Sequence, residues 1–186
     1  MRVIIGGIPG VGKTTVLNAL TSKGFRVENY GDSMLRVAVS LNYAANRDEL
    51  RKLPLWKQKE VQRLAAESLS KFESVIVDTH FCVQTDGGYL PGLPPYVLEI
   101  LKPDLFISIE ADPLEIFERR KKDTNRRRDN DSLEKIRQHM EINRGYGINY
   151  SAMTGSPFLI VMNENDRVAE ATLKIEAVLK PSTGDK

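Results

Sequence analysis

Residues 6–15 read GGIPGVGKTT, directly behind the apolar run Val3–Ile5 and ahead of the segment TVLNALTSKG. Glycine has no Cβ, so such a stretch turns tightly and brings its own N–H groups close to another molecule. The spacing Gly7-x-x-x-x-Gly12-Lys13-Thr14 fits a loop that cradles phosphates. In such a loop the lysine lies on the phosphates and the hydroxyl lies on Mg²⁺. A helix starting at Lys13 adds its positive dipole end. The candidate nucleotide contacts are therefore Gly7, Ile8, Pro9, Gly10, Val11, Gly12, Lys13, Thr14 and Thr15. The competing reading is a glycine-rich turn that binds nothing, but the strand, loop and helix context favours phosphate binding.

Outward from this loop, the chain reads as one domain. Its 186 residues suffice for a proper core, and 41% hydrophobic with 28% charged residues is an ordinary globular mix. No apolar run approaches bilayer length. The opening MRVIIGG enters the first strand at once and does not read as a signal peptide. Cys82 is the one cysteine, which excludes a disulfide framework or a cysteine-built zinc site within the chain and fits a cytoplasmic setting. A net charge of +2 is too small to argue for nucleic acid.

Five short apolar segments read as strands: RVII, FRVEN (25–29), SVIVD (74–78), LFISIE (105–110) and FLIVM (158–162). Helices are expected over 13–23, 33–42, 56–72, from Pro113, over 132–153 and over 166–179, with Gly24 ending the first. Strands alternating with helices predict a three-layer α/β/α fold around a five-stranded parallel sheet. The core is expected over 1–30, 56–118 and 133–180. A helical segment about 31–55 and a short lid about 119–132 are expected to lie outside it.

Four further patterns carry chemistry. Asp78 ends a buried strand, where a phosphate-loop protein holds Mg²⁺, so Thr14 and Asp78 are the candidate metal contacts. His80, two residues on, reads equally as a substrate contact or a structural histidine. The run ERRKKDTNRRRD (118–129) carries Arg119, Arg120, Arg126, Arg127 and Arg128. It reads as a lid whose guanidinium groups neutralise phosphoryl charge, with a solvated surface as the rival. Arg144, beside Asn143 on the expected long helix, gains interest only next to such a lid. NYGDSMLR (29–36) and NRDELRKL (46–53) suggest a second phosphate site with Arg36, Arg47 and Arg51, against a reading as a helix cap at Asp32 with ordinary surface arginines. GGYLPGLP (87–94) reads as a rigid irregular loop that either presents backbone to a flat base or merely connects.

Taken in order, GIPGVGKTT, YGDSML, RDELRKL, VDTH, GYLPGLP, DTNRRRD and the later Asn143-Arg144 pair resemble the archaeal-type adenylate kinases over nearly the whole chain. The resemblance implies the reaction ATP + AMP ⇌ 2 ADP with Mg²⁺, and often a homotrimer. No membrane or nucleic-acid partner is expected. It implies Lys13, Arg126, Arg128 and Arg144 as catalytic residues and Arg119 as a lid arginine on ATP. It implies Gly31, Asp32, Arg47, Arg51, Tyr89 and Gly92 around AMP. Gln84 departs from the basic residue that the resemblance implies there, and Arg36 is the candidate to compensate. The alternatives are a small kinase with another acceptor and a phosphate-loop switch or ATPase with a protein or RNA partner.

Overall fold

The computed structural model describes residues 1–85, 87–122 and 132–179. Arg126, Arg127, Arg128 and the tail from 180 lie outside the described residues. The parallel sheet comprises β1 (Arg2–Gly6), β2 (Val27–Asn29), β3 (Val75–Asp78), β6 (Leu105–Glu110) and β7 (Phe158–Met162), ordered β2-β3-β1-β6-β7. All four pairings are parallel, with Ile4 opposite Val77 and Phe106 at its centre. The helices are α1 (Lys13–Ser22), α2 (Tyr30–Ser40), α3 (Arg47–Arg51), α4 (Leu55–Ser70), α5 (Pro95–Leu101), α6 (Pro113–Lys122), α7 (Leu133–Thr154) and α8 (Val168–Leu179).

Side chains alternate across a strand, so β1 feeds two cores. Val3 and Ile5 join Leu17 and Leu20 of α1, Ile116 of α6 and Ile175 of α8. Ile4 joins Tyr30 of α2, Leu69 of α4 and Leu98 of α5. The 22-residue α7 serves both, giving Ile136 to the first core and Tyr150 to the second. A small satellite cluster of Ala38, Ala44 and Val61 joins α2 to α4 beneath α3.

The structure corrects two expectations. The segment expected as an irregular loop after β3 is an antiparallel hairpin, β4 (Cys82–Thr85) and β5 (Gly88–Pro91), followed by α5. Gly92 closes it: its N–H donates to Phe81 O at 2.9 Å, and a Cβ there would sit 1.8 Å from His80 O. No side chain fits that approach. The helix from Pro113 also runs through Lys122, so Arg119 and Arg120 stand on a core helix. Among the described residues no helix is long and apolar enough to cross a membrane.

Candidate active site

The carboxyl ends of β1, β3, β6 and β7 gather the functional side chains, as expected for ligand sites in open α/β sheets. The loop after β1 reaches α1 through Gly12, whose φ of +80° serves as the N-cap. A Cβ there would lie 2.4 Å from Asn163 Nδ2. Among the described residues the amides of Gly10, Gly12, Lys13 and Thr14 have no acceptor, whereas the carbonyls of Ile8, Pro9, Val11 and Gly12 each accept from a protein donor. Arg120 donates twice to Pro9 O, at 2.9 and 2.7 Å. Arg119 and Asn163 both donate to Val11 O, at 3.2 and 2.8 Å. In a planar trans peptide the carbonyl and the next N–H point opposite ways. Anchoring Pro9 O and Val11 O on the protein side therefore aims the Gly10 and Gly12 amides outward, as an anion nest requires.

Lys13 Nζ donates to Asp78 Oδ1 and, at 2.7 Å, to Thr79 O. Asn29 Nδ2 holds the other carboxylate oxygen, Oδ2, at 2.6 Å. Burial pushes the Lys13 pKa below its ordinary 10.5, with the charge of Asp78 and its hydrogen bond opposing that shift. Thr14 and Asp78 line one open cavity together with Asp32 and Arg36. A hydroxyl and a carboxylate are hard oxygen donors of the kind Mg²⁺ takes beside substrate phosphates. Among the described residues no cluster of His, Cys, Asp and Glu holds a metal unaided. The set therefore fits a magnesium ion that arrives with a nucleotide.

On the other side of the loop lies a cavity of about 680 Å³. Pro9, Gly31, Arg47 and Arg51 line it, with Gln62, His80 and Gln84. The structure thus brings the sequence-expected Gly31, Arg47 and Arg51 to one pocket beside the phosphate loop. Asp32 turns away to the neighbouring cavity and pairs with Arg47. The cap of α2 is Asn29, whose side chain accepts from Asp32 N at 3.0 Å, not Asp32 itself. Arg51 pairs with Asp48 at 2.9 Å, and Arg36 with Glu28 at 3.2 Å. Tyr89 and Gly92 do not line the cavity. Tyr89 packs on the His139 ring at 5.4 Å, and its carbonyl accepts from Tyr146 at 2.9 Å. Cys82 lines the cavity as an inert thiol, pushed up to about 11 by burial.

Arg144 is anchored on Glu110 at the end of β6. Its Nε donates to Oε1 at 3.0 Å and its Nη2 to Oε2, a forked pair. Glu110 is 5% exposed and also accepts from Ser108 at 3.2 Å. The hydrogen bond to Glu110 raises the Arg144 pKa. Besides Val11 O, Arg119 binds Glu115, Asn163 O and Asn165. Sequence reasoning did not single out Asn163, Glu110, Asn29 or Gln62 as functional. Glu110 and Asn29 end parallel strands and Asn163 directly follows one, and position at the sheet's carboxyl edge is the signal that could have found them.

A phosphate loop of this geometry facing a second cationic pocket defines a P-loop kinase. Solved structures with this fold include shikimate kinase from Bacteroides thetaiotaomicron, at a TM-score of 0.63 and 14% identity, covering 96% of this chain and 98% of that one. Shikimate kinase from Acinetobacter baumannii in complex with shikimate has a TM-score of 0.59 at 14% identity, covering 98% and 95%. Residues 6–137 match the family described as an AAA domain. Adenylate kinase from Methanothermobacter thermautotrophicus is 44% identical over 96% of this chain and 98% of its own. Those of Methanopyrus kandleri and Thermoplasma acidophilum are 46% and 44% identical, over 91% and 96% of this chain and 92% and 100% of theirs. The chain belongs to the archaeal adenylate kinases and is a phosphotransferase.

Proposed function

We propose that this adenylate kinase transfers the γ-phosphoryl group of ATP to AMP, with ATP on the loop of residues 7–15 and AMP in the cavity beside it. The observation that carries the reading is the placement of two phosphate-binding sets on either side of Pro9: loop amides with Lys13, and Arg47 with Arg51. The AMP phosphate oxygen attacks the γ-phosphorus in line. It is anionic near neutral pH, so the protein supplies no base. Catalysis is then positioning plus charge neutralisation.

Lys13 leaves Asp78 for the nucleotide phosphates, and Arg144 turns its guanidinium to the same charge. Arg126 and Arg128 complete the set as lid arginines. Arg119 and Arg120 act from behind, through the loop carbonyls they hold. Thr14 and Asp78 would hold Mg²⁺, which when bound would supply charge neutralisation on the phosphoryl oxygens. Adenine-nucleotide balance in the cytoplasm is the corresponding role, and the buried free thiol of Cys82 suits a reducing compartment. A homotrimer is the assembly, supported by the family resemblance and by Ile160 and Met162 standing exposed on the edge strand β7.

The test is diphosphate formation from Mg·ATP with each nucleoside monophosphate in turn. Rapid ADP production with AMP supports the reading. Phosphate release without transfer to any monophosphate contradicts it.

A further inference from the structure

Lys13 and Arg144 both rest on carboxylates, and only the lysine is free to leave its partner. Asp78, which holds Lys13, is 17% exposed and keeps the Asn29 amide on its second oxygen at 2.6 Å once the lysine moves. Glu110, which holds Arg144, is 5% exposed. Among the described residues its one other side-chain donor is the hydroxyl of Ser108, itself fully buried. Taking Arg144 away would leave a buried carboxylate without a counter-charge, which is strongly destabilising.

The backbone on both sides of this pair is fixed. Glu110 lies opposite Met162 in the β6–β7 register, and its carbonyl accepts from Asn163 N at 2.7 Å. The phosphate loop starts against the same strand end: a Cβ on Gly7 would sit 2.6 Å from Ile109 O. On the other side α7 is pressed onto the sheet. A Cβ on Gly147, one turn beyond Arg144, would sit 2.4 Å from the Phe158 ring, and Asn143 beside Arg144 is buried. The fork from Nε and Nη2 then sets the plane of the guanidinium. It takes two of the five N–H groups and leaves three. Arg144 is 41% exposed, so that remaining edge is open.

We propose that Glu110 is a positioning residue for phosphoryl transfer: Arg144 turns toward the phosphates about its bonds to Glu110 and does not leave them. The Nη1 edge then meets the charge of the transition state already oriented, as a preorganised donor must. This rests on the reading of Arg144 as a group that neutralises phosphoryl charge. A lysine at 144 could not replace it, because a compact ammonium has no fork with which to hold Glu110 and reach a phosphate at once.

The test is initial-rate kinetics with Mg·ATP and AMP on wild type, Glu110→Gln, Arg144→Ala, Arg144→Lys and the double variant Glu110→Gln/Arg144→Ala, with circular dichroism to verify the fold of each. Arg144→Ala is expected to lower kcat by about a hundredfold or more. Glu110→Gln is expected to lower kcat by about ten- to a hundredfold, the worth of a charge-assisted hydrogen bond, with both KM values little changed. In the Arg144→Ala background it should cost nothing further, since the two residues act as one unit. Added guanidinium chloride at non-denaturing concentration should restore part of the turnover of Arg144→Ala but not of the double variant, because Glu110 is what seats the guanidinium. A merely structural carboxylate would give no such difference. Should Arg144→Ala not fold, Arg144→Lys carries the comparison: it keeps a charge beside Glu110 and is expected to lose turnover as Glu110→Gln does. Wild-type turnover in Glu110→Gln beside an impaired Arg144 variant overturns the role of Glu110 alone, as does equal rescue of the single and double variants. Wild-type turnover in Arg144→Ala or Arg144→Lys overturns the reading of Arg144, and the role of Glu110 falls with it.

Discussion

The two sides of the active site are built by different means. The phosphate loop is seated in the main core: Ile8 and Val11 are buried, and Pro9 O and Val11 O are tied by Arg119, Arg120 and Asn163. The acceptor side rests on the satellite cluster of Ala38, Ala44 and Val61, under an α3 that buries no residue of its own. Its arginines are exposed, 51% for Arg47 and 72% for Arg51, each paired to an acid that is itself exposed. Such exposed pairs contribute little stability, about 0–1 kcal/mol each. The loop thus recognises phosphate with backbone whose geometry the fold enforces. The acceptor side recognises it with side chains that are free to leave their present partners. Changes on the first side strike turnover or fold, and changes on the second strike acceptor affinity alone.

The largest expected effect comes from Lys13→Met. It removes a buried charge aimed at the phosphates and should cut kcat by about a hundred- to a thousandfold, with circular dichroism unchanged. The same lysine gives a milder, pH-driven version. Burial lowers its pKa below 10.5. Between that lowered value and 10.5 the unfolded chain holds a proton that the folded one has released. Stability from this group therefore rises with pH across the window, while turnover falls as the charge is lost. A pH–rate profile set beside urea melts over the same range checks the opposite signs.

On the acceptor side, Arg47→Ala should raise KM for AMP by roughly ten- to a hundredfold, the worth of a charge-assisted hydrogen bond. KM for ATP and the melting temperature should stay within error, which would confirm that the pair with Asp32 contributes little to stability. A fall in melting temperature alongside the KM effect would erase the contrast between the two sides. Gly12→Ala sharpens it from the other direction. Its φ of +80° and its contact with Asn163 make a methyl costly. A non-glycine residue in that region costs about 1–2 kcal/mol, which lowers the melting temperature by roughly 2–8 °C.

What the sequence disclosed follows the same divide. The loop, Lys13 and Asp78 were legible because a phosphate nest needs a fixed local spacing and a strand of fixed register behind it. The central strands β1, β3 and β6 were legible because burial on both faces makes them continuous apolar runs. The hairpin of Cys82–Thr85 and Gly88–Pro91 was not, since strands of four residues bounded by glycine and proline show no alternation long enough to read. The role of Arg119 and Arg120 was not legible either: within a basic run they look like lid residues, and their partners Val11 and Pro9 lie 108 and 111 residues away. Glu110 looked like one more strand residue until Arg144, 34 positions on, was folded against it. Gln62 carries no signal at all in a helix whose neighbours Val61 and Ala65 read only as core.

The most direct test of two separate phosphate sites is calorimetric titration of AMP into the wild-type protein, Lys13→Met and the double variant Arg47→Ala/Arg51→Ala. The account expects Lys13→Met to bind AMP as tightly as wild type and the double variant to lose most of that affinity. AMP binding that vanishes with Lys13 and survives loss of both arginines would contradict it.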